Sequence, residues 1–332
     1  MKRPKVFISQ WMPEAGIKLI QEYCDVDYNN SIEPIEHQEF IRRAKDAEAL
    51  VIFVSDTISE EIIKECPKLK VISSFGKGYD NIDMEACNRN NIIVTVNPSS
   101  LTDSTADLAI ALLLTLCRNI IPSDYHVRTK EFKGWHATNC LGKDFHHSKL
   151  GIIGLGAIGK AIAKRAKAFE TEISYYDVVR SIDFEKQNGL TYISSIEELL
   201  SQNDFIILAV DYRPENYHLI DENRINIMKK DSILINICRG SIVDETAISK
   251  ALNEGSIWGY ASDVFEFEDK LIPEHPKYIP ESLLEQREKT VFTPHIGTGT
   301  VEAREKLALS TAEQLISAIN GEVPTGAVNH LK

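Results

Sequence analysis

No two cysteines in this chain stand at C-x-x-C spacing. The six, at positions 24, 66, 87, 117, 140 and 238, are scattered too widely for the short-range spacings on which zinc sites and redox dithiols are built. The pair His146-His147 has no second set of ligands at metal-binding spacing, so no metal is implied. No cleavable apolar leader follows MKRPKV, and with unpaired cysteines this predicts a reducing cytoplasm. Long hydrophobic runs are missing too: LAIALLLTLC at 108–117 falls short of the roughly 20 residues a membrane span needs and reads as a buried helix. Positive charge is scarce, with 37 Lys plus Arg against 49 Asp plus Glu and a net charge of -12. That excludes a nucleic-acid or anionic-membrane surface as partner. A small anion needs only local positive charge and stays open. There is no internal repeat and no low-complexity tract.

What is present is alternation. At 332 residues with 43% hydrophobic content, the chain suffices for two cores. KVFIS precedes a helix from about Pro13, ALVIFV a helix after Thr57, and KVISS a short helix from Ile82; NIIVTVN follows. Short apolar strands separated by amphipathic helices predict a parallel sheet under helices. A long helix from about Asp103 to Arg118 comes next, with Thr102 or Asp103 as N-cap and Pro122 beyond its end. Residues 130–148 read as an arm or lid. The second series, KLGIIGLG, EISYYD, LTYI, DFIILAV, DSILINI, IWGYASDV and TVFTP, predicts a second parallel sheet. One amphipathic helix over about Val301–Asn320 closes the chain.

The strand KLGII runs into Gly154-Leu155-Gly156-Ala157-Ile158-Gly159 and a helix, KAIAKRAKAF. In such a turn the first glycine bends the chain, the second admits a pyrophosphate, and the third lets helix and strand pack closely. Asp177 ends the next strand at the spacing at which a carboxylate accepts the adenosine ribose hydroxyls and repels a 2′-phosphate. NAD is therefore favoured over NADP. Arg180 either weakens that discrimination or is a solvated loop arginine.

Three later segments carry chemically capable groups near strand ends: Asn236-Ile237-Cys238-Arg239-Gly240-Ser241-Ile242-Val243-Asp244, Asp263-Val264-Phe265-Glu266-Phe267-Glu268, and Thr293-Pro294-His295-Ile296-Gly297. An arginine beyond the carboxyl end of a strand is placed to meet an anion, and a histidine with a carboxylate partner is a general acid or base. Together with GKGYDNID, the long helix and GLGAIG, these segments make the chain resemble the D-isomer-specific 2-hydroxyacid dehydrogenase family over nearly its whole length. The resemblance implies an α/β fold of two Rossmann-like doubly wound parallel-sheet domains with an interdomain active-site cleft. Residues 1–101 with 297–332 would bind substrate and 102–296 would bind NAD. It implies His295 as acid/base, Glu268 as its support and Arg239 as the group that binds and polarises substrate. Gly154, Gly156, Ala157, Ile158, Gly159, Asp177, Thr105, Cys238 and Asp263 are implied on the cofactor, Asp263 at its nicotinamide end. A homodimer through the arm is implied as well.

One turn departs from the family pattern. FGKGYDNID places Lys77 between Gly76 and Gly78, where most members carry a small or apolar residue. Asp269 stands after Glu268 in place of a proline, Arg304 lies on the closing helix, and Trp135 sits in FKGWH. These features resemble the branch of the family that oxidises phosphite to phosphate with NAD, the phosphonate dehydrogenases, although Cys140 and Val54 depart from it. That resemblance implies Lys77, Gly78, Arg239 and Arg304 as oxyanion contacts and Trp135 as a pocket wall, with Asp80 either orienting Lys77 or purely structural. Burying a phosphite dianion calls for more positive charge than one arginine supplies. The expected activity is accordingly phosphite oxidation. The alternatives are a D-2-hydroxyacid dehydrogenase that reduces a small 2-oxo acid with NADH, and a cofactor-sensing binding protein like the corepressors that resemble this family.

Overall fold

The computed structural model describes residues 3–31, 33–97, 102–272 and 274–329. Its chain divides into two compact units, Met1–Leu101 with Lys270–Pro273 and Thr298–Lys332, and Thr102–Asp269 with Glu274–Gly297.

The first unit is a parallel sheet of β1 (Lys5–Ile8), β2 (Asp25–Tyr28), β3 (Ala49–Ile52), β4 (Val71–Ser74) and β5 (Ile93–Thr95), in the order β2-β1-β3-β4-β5. The inner strands ALVI and VISS are buried along their whole length, as expected where helices cover both faces. β2 is the edge, and its sequence DVDY is largely exposed. That acidic strand alternates Asp with Val and Tyr over only four residues, too short a stretch to stand out, nor was the helix His37–Ala44 apparent from apolar runs. The final helix, Val301–Ile319, returns to this sheet: Ser73 Oγ donates to the Thr311 carbonyl at 3.2 Å and Asn97 Nδ2 to Thr311 Oγ1 at 3.0 Å.

The second unit holds β6 (Lys149–Ile153), β7 (Glu172–Tyr176), β8 (Thr191–Tyr192), β9 (Phe205–Leu208), β10 (Ile233–Asn236), β11 (Gly259–Ser262) and β12 (Thr290–Phe292), all parallel, in the order β12-β11-β10-β9-β6-β7-β8. This is the dinucleotide-binding strand order with one strand added at an edge, and its order reverses between β6 and β9. Both sheets are doubly wound and Rossmann-like. The apolar run at 108–117 lies in the helix Thr102–Cys117, where Ala109, Leu112, Leu113 and Leu116 are buried in the second unit's core.

Three details differ from expectation. The long helix already includes Thr102, so both cap candidates stand inside its first turn, and the residue before it lies outside the described residues. Where no further helix was expected, a second one, Ile120–Arg128, follows Asn119 at φ 50°; Pro122 lies beyond the long helix as expected, in the first turn of this second one, where its missing N–H costs nothing. The unit boundary falls after Gly297 instead of before it, and Lys270–Pro273 belongs with the first unit. Gly297 N–H is held by Asp263 at 2.8 Å, whereas Lys270 Nζ donates to the Ser55 carbonyl at 3.2 Å.

Candidate active site

The three glycines of GLGAIG divide by what demands them. Gly154 has φ +97°, and a Cβ there would stand 2.5 Å from the Ala209 carbonyl oxygen of the loop after β9. A Cβ on Gly159 would stand 2.1 Å from the Gly154 oxygen. The fold itself requires both. At Gly156 a Cβ would meet nothing within 4 Å, so no protein neighbour asks for glycine there. The open space lies at the N-terminus of the helix Ala157–Ala166, with Gly156 as N-cap and no side chain capping its N–H groups. Ala157 and Ile158 are its first residues. Helical N–H groups without a side-chain cap, beside a turn open enough for close backbone approach, fit a pyrophosphate.

Asp177 stands beside this turn. Its Oδ2 accepts the Leu155 N–H at 2.6 Å and its Oδ1 the Val179 N–H at 3.0 Å, which fixes the carboxylate at the end of β7 with lone pairs to spare. Arg180 is committed elsewhere: its guanidinium makes two hydrogen bonds to Glu185, at 2.9 and 2.7 Å, and lies over the Tyr192 ring. The choice left open by sequence thus falls to a paired surface arginine.

The same unit brings together the two residues expected to form the acid/base pair. His295 Nδ1 lies 2.7 Å from Glu268 Oε2, and Glu268 Oε1 accepts the Phe265 N–H at 2.7 Å. Glu268 ends the 3-10 turn Glu266–Glu268 that follows β11. His295 itself sits at φ 54°, an uncommon backbone state for a non-glycine residue. Asp263 imposes it: this buried carboxylate accepts from Thr293 Oγ1 at 2.6 Å, Ile296 N–H at 2.8 Å and Gly297 N–H at 2.8 Å, while its own carbonyl accepts the His295 N–H at 2.8 Å. Burial raises the Asp263 pKa even against these bonds. Thr105 Oγ1 adds a bond to the Gly297 carbonyl at 3.3 Å.

Arg239 opens the neighbouring loop, half-buried, with Nη1 donating to the Cys238 carbonyl at 2.8 Å. The loop leans on the Glu268 turn, since a Cβ on Gly240 would stand 1.8 Å from the Phe265 carbonyl carbon. Asp269 joins the two by accepting the Ser241 N–H at 3.0 Å. This gives a purpose to the residue that replaces the family's proline. Cys238 is buried, its thiol pushed up to about 11 by burial, which leaves it a packing group and no nucleophile.

In the first unit the FGKGYDNID turn follows β4. Asn81 Nδ2 ties it to the loop after β3 through the carbonyls of Phe53 at 3.0 Å and Asp56 at 2.7 Å. Gly76 does not have positive φ, and a Cβ there would meet only Ser74 Oγ at 3.7 Å, so the bend itself does not require this glycine. Lys77 is exposed, and among the described residues no acid pairs with it, Asp80 included. The Arg304 guanidinium lies 5.8 Å from the centroid of the Phe75 ring, which brings a second cation to the end of β4. Trp135 is 84% exposed on a loop with little regular structure.

The family description "D-isomer specific 2-hydroxyacid dehydrogenase, NAD binding domain" matches residues 110–297. The glyoxylate reductase of Pyrococcus horikoshii is 42% identical over 331 residues, covering 98% of this chain and 96% of its own. Among solved structures, the TT0316 protein from Thermus thermophilus aligns with a TM-score of 0.88 at 32% identity, covering 98% of this chain and 100% of its own. The D-lactate dehydrogenase of Aquifex aeolicus, complexed with NAD and lactic acid, aligns with a TM-score of 0.83 at 30% identity over 96% of each chain. The chain belongs to the D-isomer-specific 2-hydroxyacid dehydrogenase family.

As a member it is an NAD-dependent oxidoreductase. The Gly156 cradle, the uncapped helix and Asp177 are the groups that would hold NAD, which when bound supplies or accepts the hydride. The expectation of phosphite is not supported at this level, because the named relatives over nearly the full chain are glyoxylate reductases. Sequence reading missed two structural devices, the Asp263 clamp and the Asp269 tie. The only trace of either was the unusual DVFEFED string itself.

Proposed function

We propose that this enzyme reduces a small 2-oxo acid of the glyoxylate type to the 2-hydroxy acid with NADH. The observation that carries it is the Glu268–His295 pair at 2.7 Å, in a chain 42% identical to a glyoxylate reductase. With Glu268 on Nδ1, His295 presents Nε2 for proton transfer. Arg239 polarises the carbonyl oxygen of the substrate, and backbone N–H groups hold its carboxylate. Hydride addition at the carbonyl carbon leaves negative charge on oxygen; Arg239 stabilises that charge and His295 delivers the proton that completes the hydroxyl. A buffer proton restores His295.

A second reading keeps phosphite as substrate, favoured by one observation: exposed Lys77, with no acid partner among the described residues, shares the end of β4 with Arg304. Oxidation would then take a hydroxide oxygen from water, deprotonated by His295, as the P–H hydride leaves. The deciding experiment follows NADH absorbance with purified enzyme. Saturable consumption with glyoxylate and little formation from phosphite supports the first reading; the reverse result installs the second.

The reading includes a homodimer formed through the arm region together with the helix Ile120–Arg128 that leads into it, supported by Ile120, Ile121, Tyr125, Val127, Phe132 and Trp135, all about half exposed or more. It also includes a reducing cytoplasm as location, supported by six free cysteines. Sedimentation of an Ile121→Glu, Tyr125→Glu variant tests the dimer.

A further inference from the structure

The turn Glu266–Glu268 is held by more than the atoms that meet His295. Glu245, the first residue of the helix Glu245–Glu254, is 1% exposed and accepts the Glu266 N–H through Oε1 at 2.8 Å. That bond fixes the first residue of the turn whose last residue is Glu268. Its other oxygen, Oε2, is buried with no hydrogen-bond partner among the described residues. A carboxylate would leave that oxygen charged and unsolvated, whereas a neutral acid leaves it at far lower cost.

We propose that Glu245 is a positioning residue for the Glu268–His295 pair, holding the turn as a neutral carboxylic acid and loosening it on ionisation. This rests on the reading of His295 as the acid/base, and it adds a residue that touches neither substrate nor cofactor.

The groups facing Glu245 are mostly of one sign. Glu266, Glu268 and Asp269 lie on and just after the turn, and Asp244 caps the helix from its own element. Tyr260 faces it from β11. His218 faces it from the preceding loop, where it pairs with Glu266 at 2.9 Å beside Tyr217, whose hydroxyl donates to the same carboxylate at 3.0 Å. Burial first, then the surrounding carboxylates, push the Glu245 pKa up to about 7. These outweigh the helix N-terminus, which favours the anion. As pH rises through neutrality a further negative charge appears among Glu266, Glu268 and Asp269, and repulsion works against the turn that aims Glu268.

The test compares wild type with Glu245→Gln, which keeps an acceptor for the Glu266 N–H and cannot ionise. The first readout needs no substrate: the downfield proton resonance of His295 Nδ1–H in apoenzyme, assigned by its loss in His295→Asn. In wild type it should shift and broaden as pH rises through neutrality, and in Glu245→Gln it should stay in place. The second readout is kcat, which should fall through the same window in wild type and hold level in the variant, KM for NADH being alike in both. Glu245→Ala, which removes the acceptor, should lower kcat about tenfold with KM for NADH unchanged. If Glu245→Ala does not fold, the Gln variant carries the test. Superimposable resonance courses in wild type and Glu245→Gln would overturn the proposal. An enzyme inactive on both glyoxylate and phosphite would refute only the assigned reaction, because the resonance is read without turnover.

Discussion

Glu268 Oε2 and His295 Nδ1 lie 2.7 Å apart. Both side chains are less than one-third exposed, and each is tethered by a second device: the Phe265 N–H on Glu268 and the Asp263 clamp on the His295 loop. A proton carrier fixed this way needs little reorganisation when charge develops on the substrate.

Replacing His295 with Asn should therefore lower kcat by about a hundredfold to ten-thousandfold, the usual worth of a positioned acid or base. Glu268→Gln should cost less, about tenfold to a hundredfold, because the imidazole survives without its charged partner. Steady-state rates with glyoxylate and NADH measure both.

Gly156 and Gly159 should fail in different ways. Gly156→Val fills a space with no protein neighbour, so it should raise KM for NADH and leave the melting temperature within about a degree or two. Gly159→Ala drives a methyl against the Gly154 carbonyl and should destabilise by about 1–3 kcal/mol. Calorimetry alongside NADH titration separates the two.

Asp177→Ala should relax the preference for NAD. With the carboxylate gone and Arg180 paired to Glu185, NADP should lose a repulsion and gain no strong contact, narrowing the NAD/NADP ratio of kcat/KM by about tenfold without reversing it. A reversal would mean that Arg180 leaves Glu185.

Lys77→Ala discriminates the two substrates. For glyoxylate, held by backbone N–H groups and Arg239, KM should change by less than about threefold, the scale of an exposed charge. For phosphite, the loss of a cation facing a dianion should raise KM by about tenfold or more.

Stability should carry the mark of Glu245. The unfolded chain releases this proton near 4.5 and the folded protein near 7. Between those values the folded state binds the extra proton, so stability is greatest at the acid side and falls as pH rises. The window corresponds to about 3 kcal/mol at most. Urea denaturation should find Glu245→Gln more stable than wild type at pH 8, with the difference vanishing toward pH 4.5.

Much of this was legible along the chain, for a local reason. Strand, glycine turn and helix of the GLGAIG unit are contiguous, so the residues that bend, approach and pack announce themselves within a few positions. The apolar runs of all seven strands in the larger sheet were equally plain. DVDY at β2 was not, because its alternation spans only four residues and an edge strand facing water needs no apolar run.

What sequence alone determined is the inventory: a GLGAIG turn with an aspartate at the next strand end, an arginine, a glutamate and a histidine after later strands, and a lysine between two glycines. Resemblance then assigned the pair His295 and Glu268. Only tertiary structure decided how these are held. Asp263 reaches Ile296 and Gly297 because β11 and β12 are neighbours in the sheet, and Asp269 reaches Ser241 because Gly240 lets two loops touch. Glu245 owes its raised pKa to burial among carboxylates that lie some twenty residues away in sequence. Hydrogen bonds and burial act across space, and their partners are chosen by the fold and not by spacing along the chain.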